Sequence, residues 1–137
     1  MSSTPDYRLA LRVVTLPRDT NQYGTIFGGV ILSYIDQAGF IEARTHCIHR
    51  WVTASIDRVD FTSPVHVGDV VSFKTRTLQT GSSSVQVEVH VEAERYSTGE
   101  VMDVTRACLT MVSVDRHCRP IPFNSPASTG DEGGRGA

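Results

Sequence analysis

The residue whose type and setting could most directly do chemistry is Asp36, which lies in a segment with a helical pattern. From Phe27 to about His46 the apolar residues recur at helical spacing and form one stripe. The stripe contains Phe27, Ile31, Ile35 and Ala38, with Tyr34 at its edge. Asp36 lies about 140° from its centre, on a side formed by small apolar residues: Gly29, Leu32, Gly39 and Ala43. A carboxylate there, with Phe40 beside it, is expected to be partly desolvated and available for acid or base work, whereas the alternative is a solvent-facing aspartate.

Two glycines, Gly28 and Gly29, open this predicted helix, although glycine costs about 1 kcal/mol relative to alanine in a helix. Free N–H groups at a helix start, together with the helix dipole, can donate to a carbonyl oxygen that gains negative charge. Close packing of the helix start against a strand is the other explanation for the pair. Asp36 follows Gly29 by two turns, about 10 Å along a helix, so one substrate meets both only if it lies along the helix.

The other patterns that could support chemistry do not predict a site. His46, Cys47 and His49 are typical metal ligands, but no second cluster completes a site, so we expect no metal. The sequence has no G-x-S-x-G, P-loop or G-x-G-x-x-G motif, and we expect no bound cofactor. The cysteines lack Cys-x-x-Cys spacing and are expected to be free thiols of a reducing compartment, the cytoplasm.

The elements that must position these residues are strands on both sides of the helix. The clearest alternation runs over 85–94, with apolar residues on one face and polar residues on the other. The predicted strands are 9–14, 51–62, 70–78, 85–94 and 101–114. The second is interrupted near Asp57 and Arg58, at a bulge or special site, and the last is central or covered because it is apolar on both faces in places. One long helix along a curved antiparallel sheet of about five strands is an α+β architecture.

Length and composition restrict the function classes. The chain has 137 residues, of which 39% are hydrophobic and 20% charged, with a net charge of −2. That is one domain with its own core, and the balanced charge does not predict nucleic-acid binding. The longest apolar run is too short and mixed to span a bilayer, and the start lacks a secretory signal. We expect a folded domain over 8–123 and a flexible tail over 124–137, which is rich in Ser, Pro, Gly, Ala and charged residues.

One stretch has a recognisable family pattern. The segment from Asp19 to Gly29 reads D-T-N-x-x-G-x-x-F-G-G, and Asp36 follows it within the helix. Further matching segments lie at 54–61, 64–71, 81–84 and 112–115. Over residues 9–122 the chain resembles the hot-dog fold acyl-CoA thioesterases, the branch often called acyl-CoA hydrolases. The fold that this resemblance implies, one helix against an antiparallel sheet, agrees with the element order predicted above.

The resemblance implies roles for individual residues. Asp36 matches the catalytic carboxylate, a general base for water or a nucleophile on the thioester. Gly29 matches the helix-start amide that polarises the thioester carbonyl, and Asn21 matches the loop asparagine that orients water or the carbonyl. The residues expected to contact the substrate are Gly28, Asp57, Arg58, Ser82 and Ser83. The candidate cations for the CoA phosphates are Arg58, Lys74, Arg76 and Arg106.

Two arguments predict an assembly. In the family the site lies between two subunits, which implies a homodimer or a homohexamer built as a trimer of dimers. The small apolar side of the helix also needs a cover that one curved sheet does not supply, which predicts at least a dimer. This small apolar side of the helix contains Gly29, Leu32, Gly39 and Ala43.

The expected activity is hydrolysis of an acyl-CoA to a free acid and CoA, in fatty acid metabolism, with neither metal nor bound cofactor. Thr25, Arg58 and Ser82 depart from the residues usual in the family, which leaves acyl preference and nucleotide binding open. The main alternative is a non-catalytic module of the same fold that binds acyl-CoA. A hot-dog hydratase, which needs an Asp–His pair, ranks below both.

Overall fold

The computed structural model describes residues 6–123, which form five strands, one α-helix and a short 3-10 turn. In chain order these are β1 (Arg8–Val14), the 3-10 turn (Pro17–Asp19), α1 (Gly28–Arg44), β2 (Arg50–Asp57), β3 (Val70–Thr80), β4 (Ser84–Glu94) and β5 (Val101–Val114). The strands form one antiparallel sheet in the order β1-β3-β4-β5-β2. The predicted α+β architecture is therefore confirmed. The predicted tail, 124–137, lies outside the described residues.

The core lies where α1 crosses one face of the sheet. The inward residues of β4 are fully buried: Val85, Val87, Val89, Val91 and Ala93. From the helix, Ile31, Ile35 and Ala38 are buried as the stripe predicted. The prediction is wrong for Phe27, whose side chain is 48% exposed. The helix begins one residue later, so Phe27 is its N-cap, with a non-helical ψ of 134°, and it leaves the stripe.

The small apolar side of α1 is covered more fully than predicted. Gly39 and Ala43 are buried, and a Cβ atom added at Gly39 would lie 2.8 Å from Cδ2 of Leu109 on β5. The prediction that these two residues need a second subunit is wrong, because α1 contacts all five strands of its own sheet. The apolar side chains of α1 that stay exposed are instead Phe40 and Ile41.

β2 is shorter than predicted and lies at the edge of the sheet. The strand ends at Asp57, and the next residue, Arg58, has a left-handed φ of 43°, which ends the extended run. The bulge predicted at this point lies earlier, where the register against β5 shifts between Thr53 and Ser55. Because only β5 pairs with β2 in the described chain, the other edge of β2 has no strand partner.

A buried carboxylate fastens the C-terminal end of α1 to the sheet. Glu42 is 3% exposed and accepts hydrogen bonds from Thr75 at 2.9 Å, from Thr77 at 2.8 Å and from Arg8 at 2.9 Å. Burial by itself would raise the pKa of this carboxyl, but the three donors outweigh burial and hold the pKa below its ordinary value. Glu42 therefore connects the helix to β3 and β1 as an ionised group.

Replacing this carboxylate is expected to destabilise the fold. Glu42→Gln keeps the size of the side chain but turns one acceptor into a donor that faces other donors, which should lower the free energy of unfolding by about 2 kcal/mol. The matched control is Glu92→Gln on the outer face of the sheet, where a partly exposed carboxylate lies 2.9 Å from Nζ of Lys74. The control should cost less than about 1 kcal/mol. Urea unfolding measures both variants, and equal costs would contradict the special role of Glu42.

The difference in stability between the wild type and the Glu42→Gln variant is expected to depend on pH. Because the pKa of Glu42 is lower in the folded chain than in the unfolded chain, its contribution is complete above the unfolded pKa. The contribution should fade as the pH falls and be lost once the pH has passed through the lowered pKa of the folded state. If the stability difference stays constant through this acid range, the ionised form of Glu42 is not what stabilises the fold.

Candidate active site

Asp36 lies halfway along α1, beside a surface groove of about 500 Å³. The groove is lined by Asp36, Gln37, Phe40, Ile41, Trp51, Val52, Thr53 and Met111. The expected desolvation is not found in the single chain, where Asp36 is exposed. The reason is that its small neighbours Gly39 and Ala43 turn towards the sheet and do not enclose the carboxylate. The candidate site is therefore an accessible carboxylate at the side of a mostly apolar groove.

Thr53 on β2 holds this carboxylate. Its hydroxyl donates a hydrogen bond to Oδ1 of Asp36 and also lies 3.4 Å from Sδ of Met111. Sequence reasoning missed Thr53. Strand alternation places it on the same side as the buried Trp51, a signal that was available, but the helix residue opposite depends on tertiary packing.

The start of α1 presents unsatisfied backbone donors. Phe27 supplies no side-chain cap, and the first backbone amide to bond back to it is that of Val30, at 3.0 Å from its carbonyl oxygen. The amides of Gly28 and Gly29 are thus those that a helix start leaves without an intrahelical partner. Gly29 has open space around its Cα, whereas a Cβ on Gly28 would lie 3.4 Å from the ring of Phe61. Gly29 is therefore open to a ligand, and Gly28 packs closely.

Asn21 organises the loop before the helix. Its Oδ1 accepts the backbone N–H groups of Tyr23 at 2.9 Å and Thr25 at 3.1 Å, and its Nδ2 donates to Oγ1 of Thr25 at 3.0 Å. One Nδ2 hydrogen remains, since the amide carries two. The described contacts of Asn21 are structural, and the remaining hydrogen is what it could offer to water or to a carbonyl.

In the described chain, Asp36 and the start of α1 do not line the same groove. Asp36 lines the groove described above, whereas Gly28 lines a smaller one of about 200 Å³. The smaller groove is formed by Thr25, Ile26, Gly28, Ile31, Phe61, Ser63, Pro64 and Val65. The carboxylate of Asp36 and the amides of the helix start thus lie at separate places on α1.

The predicted substrate contacts at the end of β2 and in the β3–β4 turn lie outside both grooves. Arg58 lines a third groove, of about 430 Å³, together with Asp60, Thr62, His90, Asp103, Thr105 and Arg106. Asp57 is exposed at the end of β2. The carbonyl of Ser82 accepts from the amide of Phe123 at 2.9 Å, and that of Ser83 accepts from the amide of Ser113 at 2.8 Å. The turn residues thus bind another part of their own chain.

Two of the predicted phosphate-binding cations are already paired. Lys74 lies 2.9 Å from Glu92, and Arg76 lies 2.6 Å from Glu88. Both lysine and arginine alternate with the buried Phe73 and Thr75, which places them on the face of the sheet away from α1. Both side chains therefore lie on the face of the sheet opposite to α1 and Asp36.

The histidines near the end of α1 have structural partners. Nε2 of His46 lies 2.7 Å from Oγ1 of Thr77, and Nε2 of His49 lies 2.9 Å from the carbonyl of Phe123. Among residues 6–123, one group of three side chains has ligand-type atoms within 4.8 Å of one another: His90, Glu92 and Asp103. His90 lies 2.9 Å from Asp103, and Glu92 lies 2.9 Å from Lys74, so each of the three already has a partner.

A family model and three similar proteins define the class of this chain. A sequence model of the thioesterase superfamily matches residues 23–99. YkhA of Bacillus subtilis, an uncharacterized acyl-CoA thioester hydrolase, is 41% identical over 106 residues, 77% of this chain and 62% of that protein. YciA of Salmonella typhimurium, an acyl-CoA thioester hydrolase, is 34% identical over 126 residues, 90% of this chain and 95% of YciA. The structure of Cj0915, a hexameric hotdog fold thioesterase of Campylobacter jejuni, has a TM-score of 0.80 and 42% identity, over 85% of this chain and 90% of Cj0915.

The chain therefore belongs to the thioesterase superfamily, and its architecture is the hot-dog fold. The relatives it resembles within that class are acyl-CoA thioester hydrolases, the branch that its D-T-N-x-x-G-x-x-F-G-G segment indicated. The predicted family and fold are confirmed. In the described part of the chain, α1 is neither long nor apolar enough to cross a membrane.

Proposed function

We propose that this protein hydrolyses acyl-CoA thioesters to a carboxylic acid and CoA. The observation that carries the proposal is the accessible carboxylate of Asp36, held by Thr53 beside an apolar groove in a chain of the thioesterase superfamily. The apolar lining suits an acyl chain, and the carboxylate suits the attack of water on its thioester. The names of the relatives support the substrate class.

The reaction needs only the carboxylate, a backbone donor and water. As a general base, Asp36 takes a proton from water while the water oxygen bonds to the thioester carbon. The carbonyl oxygen gains negative charge, and the amide of Gly29 donates to it. The carbon–sulfur bond then breaks, and CoA leaves as a thiolate that takes up a proton. As a nucleophile, Asp36 would instead bond to the carbon, expel CoA and form an anhydride that water cleaves.

We infer that a second copy of the chain completes the site. In one chain, Asp36 lies two turns of α1, about 10 Å, beyond Gly29, so a thioester that meets both a base and an amide donor needs groups from two chains. The edge of β2, which has no strand partner in the described chain, offers a surface for that copy. The hexameric state of the Campylobacter relative supports a homohexamer of such dimers.

This assembly is testable at the edge strand. Val52→Lys puts a charge on an exposed residue of β2, and we expect it to lower the mass in solution. The mass and not the turnover is the readout, because Val52 also lines the groove beside Asp36. Val101→Lys makes the same change at an exposed residue of β5 and should leave the mass unchanged. Light scattering after size-exclusion chromatography measures the mass. A wild-type protein that stays a monomer at all concentrations would contradict the proposal.

A thiol-release assay tests the activity. Wild-type protein is mixed with short-chain, long-chain and aromatic acyl-CoAs, and the release of CoA is followed together with the melting temperature. Turnover of at least one class is the expected result. A rise in melting temperature without CoA release would instead support the non-catalytic acyl-CoA binding module, the alternative from the sequence.

Two further features of the proposal remain predictions. Arg58 and Arg106, which line one groove, are candidates for the CoA phosphates, as are Lys74 and Arg76 on the outer face of the sheet. The cytoplasmic location and the role in fatty acid metabolism follow from the expected substrate.

A further inference from the structure

We propose that Trp51 forms the end wall of the groove beside Asp36 and restricts the substrate to short acyl chains. This inference rests on the proposed thioesterase activity and deepens it. The thioester carbon has to lie at the carboxylate of Asp36 to react, and most side chains that line the groove are apolar. The acyl chain is the part of the substrate that such a groove binds, because its methylene groups gain free energy by leaving water. The distance from Asp36 to the end of the groove therefore sets the length of the chain.

The groove extends from Asp36 towards the C-terminal end of α1. On the helix side its lining continues from Asp36 to Ile41. On the strand side it continues along β2 from Thr53, which is hydrogen-bonded to Asp36, to Trp51. The indole N–H of Trp51 donates to the carbonyl of Cys47 at 3.0 Å, just after the end of the helix. Trp51 therefore lies at the far end of the groove from the carboxylate.

The length of the groove follows from the geometry of its two sides. Thr53 and Trp51 lie on the same face of β2, two residues and about 7 Å apart. Asp36 and Ile41 are five residues apart on α1, which is about 7.5 Å along the helix. An extended chain with carbon–carbon bonds of about 1.5 Å advances roughly 1.3 Å per carbon, so an acyl group of about six carbons reaches the wall.

The wall is held in place by its own contacts. Trp51 is 6% exposed, and besides the hydrogen bond to Cys47 its ring packs against that of Phe123, with the centroids 5.9 Å apart. Ser113, the register partner of Trp51 on β5, is fully buried, so the neighbouring position on the sheet is filled. A longer acyl chain therefore has to leave the groove and place its remaining carbons in water.

The wild-type protein tests the length directly. The ratio kcat/KM is measured in the thiol-release assay for straight-chain substrates from acetyl-CoA to dodecanoyl-CoA. We expect it to rise about 3- to 4-fold with each added carbon, the gain from burying one methylene, and to stop rising at about six carbons. A ratio that keeps rising to the longest chain would overturn the proposal.

Substitutions at Trp51 test whether this side chain is the wall. Trp51→Leu shortens the side chain and should move the optimum to acyl chains that are longer by about two or three carbons. Trp51→Phe is the matched control, because it keeps an aromatic ring at the wall, and its optimum should stay near that of the wild type. Trp51→Met, with a flexible side chain that fills irregular gaps, is the second variant if leucine unfolds the protein. Melting temperatures show which variants are folded.

Two results with a folded Trp51→Leu or Trp51→Met variant would contradict the proposal. One is a length profile identical to that of the wild type, which would place the wall elsewhere. The other is an equal change of kcat/KM for every chain length, since the groove would then hold the pantetheine arm that all acyl-CoAs share.

The failure of the proposed function would have a different signature. Wild-type protein without turnover on any acyl-CoA would refute the proposed function, and the role of Trp51 with it. An active wild type with an impaired Asp36→Asn variant, whose length profile does not respond to Trp51→Leu, would refute the role of Trp51 alone.

Discussion

Asp36→Asn is expected to lower kcat by about 10²- to 10⁴-fold, the usual contribution of a positioned general base. Asparagine has nearly the same shape, and its amide oxygen can still accept the hydrogen bond from Thr53, but it neither takes a proton nor attacks a thioester. The affinity for acyl-CoA should change far less, because CoA is bound by other groups. Steady-state kinetics on the best substrate from the acyl-CoA panel gives kcat and KM separately.

The stability of the Asp36→Asn variant shows whether its loss of activity is catalytic or structural. Asp36 is exposed and makes one described side-chain hydrogen bond, so the melting temperature should stay close to that of the wild type. Glu94→Gln, at the exposed end of β4, removes one negative charge outside the grooves and is the control for net charge. An unfolded Asp36→Asn variant would favour a structural role. A folded variant with near wild-type turnover would reject the catalytic assignment and direct attention to Asn21.

Gly29→Pro is expected to lower kcat by about 10²- to 10³-fold, the cost of one lost oxyanion donor. Proline has no backbone N–H, and its fixed φ suits the first turn of a helix, so the substitution removes the donor without ending α1. The loss should lie in kcat, because the donor stabilises charge that develops only in the transition state. The same thiol-release assay measures it.

Gly29→Ala is the matched control. It keeps the N–H, and the structure has nothing within 4 Å of the added Cβ. The alanine variant should therefore keep far more of kcat than the proline variant, and its helix should be at least as stable, since alanine favours a helix over glycine by about 1 kcal/mol. A proline variant that is folded and fully active would show that the oxyanion is served by another donor, the amide of Gly28 or Nδ2 of Asn21.

The sequence alone predicted the features that depend on local periodicity. The helical stripe at Ile31, Ile35 and Ala38 and the alternation over 85–94 appear in the structure as the two sides of one core, because burial follows directly from the period of each element. The family pattern from Asp19 to Gly29 is a contiguous segment, and it therefore identified the thioesterase superfamily without tertiary information.

The tertiary structure decided the contacts that depend on strand register and on helix position. Asp36 is bonded to Thr53, and Glu42 to Thr75, Thr77 and Arg8, across gaps of 17 to 35 residues that no local pattern spans. Register also determined that Lys74 and Arg76 face away from α1, although as residue types they suit a phosphate. A slip of one residue reverses the face of every side chain in a strand, so residue type alone cannot show which side chains meet at the carboxylate.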